Sequence, residues 1–145
     1  ESYLKVCDPY FGLEEIEYLK YVPLDCKVLI VTTDGQLDTS GGSEAVQDRL
    51  KRYWNRLASR ALPQLQVLII PRKFESRFHD RAIITAHAGL DIGQSLNGIG
   101  KSQGKITVLS EEDARELENV YVDEMLSNAT WFMEGVHLTV CSLGG

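Results

Sequence analysis

No apolar run in this 145-residue sequence approaches the roughly 20 residues that a helix needs to cross a bilayer. The opening Glu1-Ser2-Tyr3 carries neither a basic start nor a signal-like apolar stretch, so a cytoplasmic protein is expected. Basic charge is scarce as well. Fifteen Lys and Arg against 21 Asp and Glu leave a net charge of −6, which disfavours non-specific attraction to nucleic acid or anionic membrane, since both rely on a positive field. Cysteine is sparse: Cys7, Cys26 and Cys141 form no close pair and stand in apolar, strand-like surroundings. That is the pattern of reduced core thiols, not of a disulfide framework or a metal site, and no metal or other cofactor is expected. There is no repeat and no low-complexity tract. Position 1 is not Met, and the chain reads as a piece excised from a longer protein.

What is present suits one compact domain over residues 1–145. A hydrophobic fraction of 43% and a charged fraction of 25% are those of an ordinary globular chain. Tyr3 to Asp8 reads as a strand stopped by Pro9. Gly12 to Val22 reads as a short helix with Leu13, Ile16 and Leu19 on one face, and Lys27 to Thr32 as a strand buried on both faces. Asp34 to Gly42 is a polar, glycine-rich connector. Ser43 is placed to cap a long helix whose apolar positions Val46, Leu50, Tyr53, Leu57 and Ala61 repeat up to Pro63, with Arg49, Lys51, Arg52, Arg56 and Arg60 on its outer face. Leu65 to Ile70 is a third strand. A fourth carries Ala82-Ile83-Ile84, a fifth spans Leu90 to Ile92, and a sixth Lys105 to Leu109. Ser110 with Asp113 opens a last helix with Ala114, Leu117, Val120 and Tyr121 on its buried stripe and an acidic exterior. Trp131-Phe132-Met133 suits core packing. In a final strand, Val136, Leu138 and Val140 alternate with His137, Thr139 and Cys141. The order β-α-β-α-β-β-β-β-α-β predicts an α/β sandwich around a largely parallel sheet, with a site near strand ends.

Charge is unevenly spread. Arg72, Lys73, Arg77 and Arg81 gather in one place, and Glu111, Glu112, Asp113, Glu116, Glu118, Asp123 and Glu124 crowd a later one. The basic group adjoins Phe78 to Lys101, the only stretch where chemistry-capable side chains and turn glycines meet beside an apolar strand. On an extended strand His79 and Arg81 leave the same face. Gly93-Gln94-Ser95-Leu96-Asn97-Gly98 can then bring a hydroxyl and an amide alongside, a set suited to phosphate. Gly98-Ile99-Gly100-Lys101-Ser102 matches only the tail of a phosphate-binding P-loop, because Ser95 stands where the first glycine belongs. Asn128-Ala129-Thr130 is a nominal glycosylation triplet that means nothing without a secretory route.

The His79, Arg81, Gly93, Ser95 and Asn97 set resembles the half-site of the phospholipase D superfamily, H-x-K, four residues, D, six residues, G-S-x-N. His79 fills the histidine position, Arg81 the lysine position and Gly93 the glycine position. Ala86 stands where the aspartate belongs, and Ser95-Leu96-Asn97 supplies S-x-N one residue late. The stretch is similar to a divergent HDR branch of these domains, and to the phospholipase D-like C-terminal domain of MIT-domain proteins. The likeness extends over about residues 3 to 110, with the HDR-to-GK stretch its specific part. It implies a phospholipase D-like α/β/α sandwich around a mixed, largely parallel sheet.

In active members of that family the histidine attacks phosphorus, a second histidine protonates the leaving oxygen, and lysine and asparagine hold the phosphoryl oxygens, without a metal. One copy makes half a site. Catalysis here would need a homodimer that pairs two His79 residues, or a partner domain. Arginine does not reproduce the lysine's reach or geometry, and the missing aspartate removes a charge that Asp91 or Glu75 would have to replace. The resemblance therefore implies a domain that binds phosphate or phosphodiester, from a nucleic acid, a nucleotide or a phospholipid headgroup, through Arg81, Ser95 and Asn97, with a degenerate catalytic motif at His79 and Arg81. The alternatives are an active metal-independent phosphodiesterase or nuclease and a protein-interaction scaffold.

Overall fold

The computed structural model describes residues 2–77, 81–92, 106–119, 123 and 139–144, with the backbone alone for 75–77. Seven strands, β1 (Tyr3–Cys7), β2 (Lys27–Thr33), β3 (Gln64–Ile70), β4 (Ala82–Thr85), β5 (Gly89–Ile92), β6 (Ile106–Leu109) and β7 (Thr139–Leu143), form one sheet in the order β6-β5-β4-β1-β2-β3-β7. Helices are α1 (Gly42–Leu57) and α2 (Glu111–Leu117), with 3₁₀-helices at Glu14–Tyr21 and Arg72–Arg77.

The α/β class holds, but the largely parallel sheet does not. Among the described strands only β1 with β2 and β2 with β3 are parallel. The pairs β1–β4, β3–β7, β4–β5 and β5–β6 are antiparallel. The cause is local. Ala86 and His87 make a tight turn in which Thr85 N–H donates to Ala88 O at 2.9 Å and Ala88 N–H to the Thr85 hydroxyl at 3.1 Å. β5 therefore folds straight back on β4, with no crossover to return it parallel.

Strand alternation gives the sheet two packed faces. On one, Val6, Val28, Ile30, Val67 and Ile69 pack against Ile16 and Leu19 of the first 3₁₀-helix and Val46, Leu50 and Trp54 of α1. On the other, Cys7, Val31, Leu68, Ile70, Ala82 and Ile84 meet Phe74 and Leu117. Trp54 anchors the first face: it is 2% exposed, and its indole N–H donates to Arg60 O at 2.8 Å. Truncating such a residue costs about 3–5 kcal/mol. Cys7, Cys26 and Cys141 are all buried.

Several local expectations change. α1 opens at Gly42 behind Gly41, whose φ of 84° a side chain rarely adopts, and no side chain caps it, so Ser43 lies within the helix. It ends at Leu57 and does not reach Ala61. The arginines expected on its outer face are not all solvated. Arg60 donates to Lys20 O at 2.8 Å and Val22 O at 2.6 Å, closing the C-terminal end of the first 3₁₀-helix. Arg49 donates to Asp38 O and Ser40 O, tying down the connector between β2 and α1. In β7 Cys141 and Leu143 face the core while Val140 is exposed. Ser110 does cap α2, accepting from Asp113 N–H at 3.1 Å. Val120, Tyr121, Trp131 to Met133 and Val136 to Leu138 lie outside the described residues.

Candidate functional site

The parallel strands β1, β2 and β3 all end at one edge of the sheet, at Cys7, Thr33 and Ile70. β4 runs the other way, and its first residue, Ala82, pairs with Cys7. Arg81, just before it, therefore arrives at the edge where Asp8, Asp34 and Arg72 leave their strands. The strand order turns here too: β2 and β3 extend the sheet on one side of β1, β4 and β5 on the other. In open α/β sheets ligands favour this position.

The loop over this edge, Asp8 to Gly12, is held from several sides. Asp8 is fully buried; its N–H donates to Val31 O at 3.0 Å, and its carboxylate accepts from Tyr10 N–H at 3.0 Å. The buried hydroxyls of Thr32 and Thr33 donate to Phe11 O at 2.6 Å and Pro9 O at 2.8 Å. Gly12 N–H donates to Glu15 at 2.9 Å. Tyr10 is thus presented on a fixed backbone. Its ring lies beneath the guanidinium of Arg81, 5.5 Å from the ring centroid, within cation–π range. Arg81 O accepts from Ile92 N–H at 2.7 Å, which fixes its backbone to β5. The Nε of Arg81 is buried and makes no hydrogen bond among the described residues. Arg72 N–H donates to the Asp34 carboxylate at 2.8 Å, and the Arg72 side chain lies so close over Gly35 that a Cβ there would stand 2.8 Å from Cδ.

Of the residues the sequence singles out, Arg81 reaches this edge. His79, Gly93, Ser95 and Asn97 lie outside the described residues. Ala86, at the aspartate position of the resemblance, sits in the β4–β5 turn at the opposite edge. Five steps of extended chain put it about 17 Å from Arg81. Asp91 pairs with Ala82, and strand alternation turns it to the other face from residue 81. Glu75 falls in the second 3₁₀-helix.

Sequence reasoning missed a charged cluster at the far edge. Glu118, expected on an acidic exterior, is 5% exposed. Its carboxylate meets Lys5 Nζ at 2.7 Å, accepts from the Tyr3 hydroxyl at 3.0 Å and accepts from Arg115. Lys5 also contacts Asp123 at 2.8 Å, and Arg115 donates to Thr85 O in the β4–β5 turn. Burial alone would raise the Glu118 carboxyl, but hydrogen bonds from Lys5 and Tyr3 and the charges of Lys5 and Arg115 hold it below its ordinary value. Burial would likewise lower Lys5, yet the bonds to Asp123 and Glu118 raise it. The signal was helical spacing: Glu118 follows the fully buried Ala114 by four residues.

A cavity of about 580 Å³ lined by Lys5, Lys27, Lys51, Gln64 and Gln66, and another of about 510 Å³ beside Tyr21, Thr85 and His87, both lie where the parallel strands begin. Neither of these two cavities is lined by Arg81. Lys5, the most enclosed cation of the first, is already engaged by two carboxylates.

Comparison with known proteins gives no match to a family model, a curated protein or a solved structure.

Proposed function

We propose that this chain is a phosphate- or phosphodiester-binding domain, phospholipase D-like in its motif, that takes the anion on Arg81. The carrying observation is the Nε of Arg81, buried at the strand-end edge without a hydrogen-bond partner among the described residues. An unmade bond on a buried charged donor is costly, and an oxyanion at this point satisfies it. Tyr10 supports the reading by placing its ring 5.5 Å from the guanidinium, a group whose planar fork of donors matches phosphate oxygens. Ser95 and Asn97 are proposed to add neutral hydrogen bonds. His79, two residues from Arg81, is proposed to face the same ligand.

Binding is favoured over catalysis because Ala86 occupies a turn at the far edge. A carboxylate at that motif position would not reach the anion. A working phosphodiesterase would further need a second His79, from a homodimer or from a partner domain.

Titration of wild type and Arg81→Ala with inorganic phosphate and with a short oligonucleotide tests the proposal. Loss of a hydrogen bond to a charged group costs about 1.5–3 kcal/mol, so Arg81→Ala is expected to weaken binding about tenfold to a hundredfold. Arg81→Lys keeps part of it. The salt dependence is shallow, because a chain of net charge −6 offers no extended basic track. Equal affinities of wild type and Arg81→Ala sink the proposal and leave the scaffold reading.

A further inference from the structure

The two edges of the sheet are finished differently. At β7 the helix α1 lies alongside: Gln47 accepts from Ser142 N–H at 3.1 Å, and Ser43 O accepts from the Cys141 thiol at 3.7 Å. A side chain thus takes up a backbone donor of that edge. β6 ends the strand order on the other side, and no described strand pairs with its outer edge. Its sequence, Ile106-Thr107-Val108-Leu109, has no charge and no proline, the devices that normally protect an edge. Ile106 is 48% and Val108 77% exposed. Both lie on the face shared by Leu90 and Ile83, since Val108 pairs with Leu90 and Leu90 with Ile83. Those two are only half-buried. An open edge and an apolar strip thus coincide.

We infer that β6 is a homodimer interface, in which β6 of one copy pairs antiparallel with β6 of another about a two-fold axis through Thr107. An axis perpendicular to the sheet keeps each face on its own side and reverses strand direction, as antiparallel pairing requires. Centred on Thr107, it sets Ile106 opposite the partner's Val108 and Val108 opposite the partner's Ile106, apolar against apolar on one face. Moving the axis to Val108 shifts the pairing by two residues and sets Ile106 against the partner's Ser110, leaving one apolar pair, Val108 with itself, in place of two, so the pattern favours the register centred on Thr107. Charge agrees with the direction. In sequence β6 follows Lys105 and precedes Glu111, Glu112 and Asp113, so antiparallel pairing brings a basic approach toward an acidic exit. This interface does not depend on the phosphate reading. Because the axis reverses strand direction, it points the two Arg81 edges opposite ways and supplies no second half-site.

The test is sedimentation of the whole chain over a wide concentration range, with Val108→Lys and with variants that each add one surface cysteine to the three buried ones. Wild type is expected to pass from monomer to dimer, and Val108→Lys to raise the midpoint concentration at least about tenfold with its thermal melt kept. Thr107→Cys is expected to cross-link to itself under mild oxidation, because residues facing each other across antiparallel strands stand about 4.5–5.5 Å apart, within disulfide reach. Val140→Cys, exposed on the opposite edge strand, is expected to cross-link much more slowly. Wild type that stays monomeric throughout overturns the inference, including when it captures an extended peptide instead. So does a dimer that Val108→Lys leaves intact, or equal cross-linking by the two cysteine variants.

Discussion

Arg81 and Ala86 flank β4 at its opposite ends, one at the edge where β1 to β3 finish and the other in the turn that starts β5. Two positions five residues apart in a linear motif are thereby separated by the length of a strand. At about 17 Å they exceed the screening length of about 8 Å at physiological salt, so a charge at one barely acts on the other. Ala86→Asp, which restores the motif's carboxylate, is expected to leave phosphate affinity within about twofold of wild type and to create no phosphodiesterase activity. Calorimetry and an aryl phosphodiester assay check both halves. A large gain in hydrolysis would show that residue 86 reaches the anion.

Glu118→Ala is expected to destabilise the domain strongly, because it strips the shared acceptor from Lys5, Tyr3 and Arg115. Removing one partner of a buried ion pair costs about 3–5 kcal/mol, and the lower value applies because Asp123 still faces Lys5. Urea unfolding reads this directly. A loss under about 0.5 kcal/mol, the range of a plain surface substitution, would mean that the cluster holds nothing together.

The same cluster sets a pH window. Glu118 titrates below its ordinary 4.5 in the folded chain, so its contribution is complete above that pH and is lost as pH falls through the lowered value. Lys5 titrates above its ordinary 10.5, so its contribution is complete below that pH and is lost as pH rises through the raised value. Melting temperature is expected to fall on both sides of that range. Glu118→Gln is expected to flatten the acid limb, and an unchanged acid limb would assign that loss to other groups.

Thr32→Val keeps the shape of a fully buried side chain but deletes the donor to Phe11 O. The carbonyl left unpaired costs about 1–3 kcal/mol. Because Phe11 follows Tyr10, the variant is also expected to bind phosphate more weakly than wild type, though by less than Arg81→Ala. Denaturant melts and phosphate titration together check it. A stability loss with no change in affinity would uncouple the Asp8–Gly12 loop from the site.

The strands were legible in the sequence wherever burial on both faces leaves a β-branched run, as in Lys27–Thr33 and Gln64–Ile70, and the Ser110 cap was legible from its Asp113 partner. Strand direction was not. The Ala86-His87 turn contains none of the glycine or asparagine that usually marks a hairpin; the Thr85 side chain closes it instead. Glu118 and Arg60 misled for a related reason, since a charged side chain carries no sign that a partner distant in sequence waits for it. Arg81 was singled out by its motif. Its platform, Tyr10 on a loop fixed by buried threonines, depends on contacts across more than 20 residues that no local pattern encodes.

The central claim, that Arg81 receives an oxyanion, is tested most directly by growing crystals, soaking them in tungstate and locating the metal by anomalous scattering. The account predicts a tungstate oxygen about 2.7–3.2 Å from Nε of Arg81, on the Tyr10 side of the strand-end edge. Tungstate seated only in the cavity of Lys5, Lys27 and Lys51 at the opposite edge, or absent at concentrations that saturate binding in solution, would contradict it.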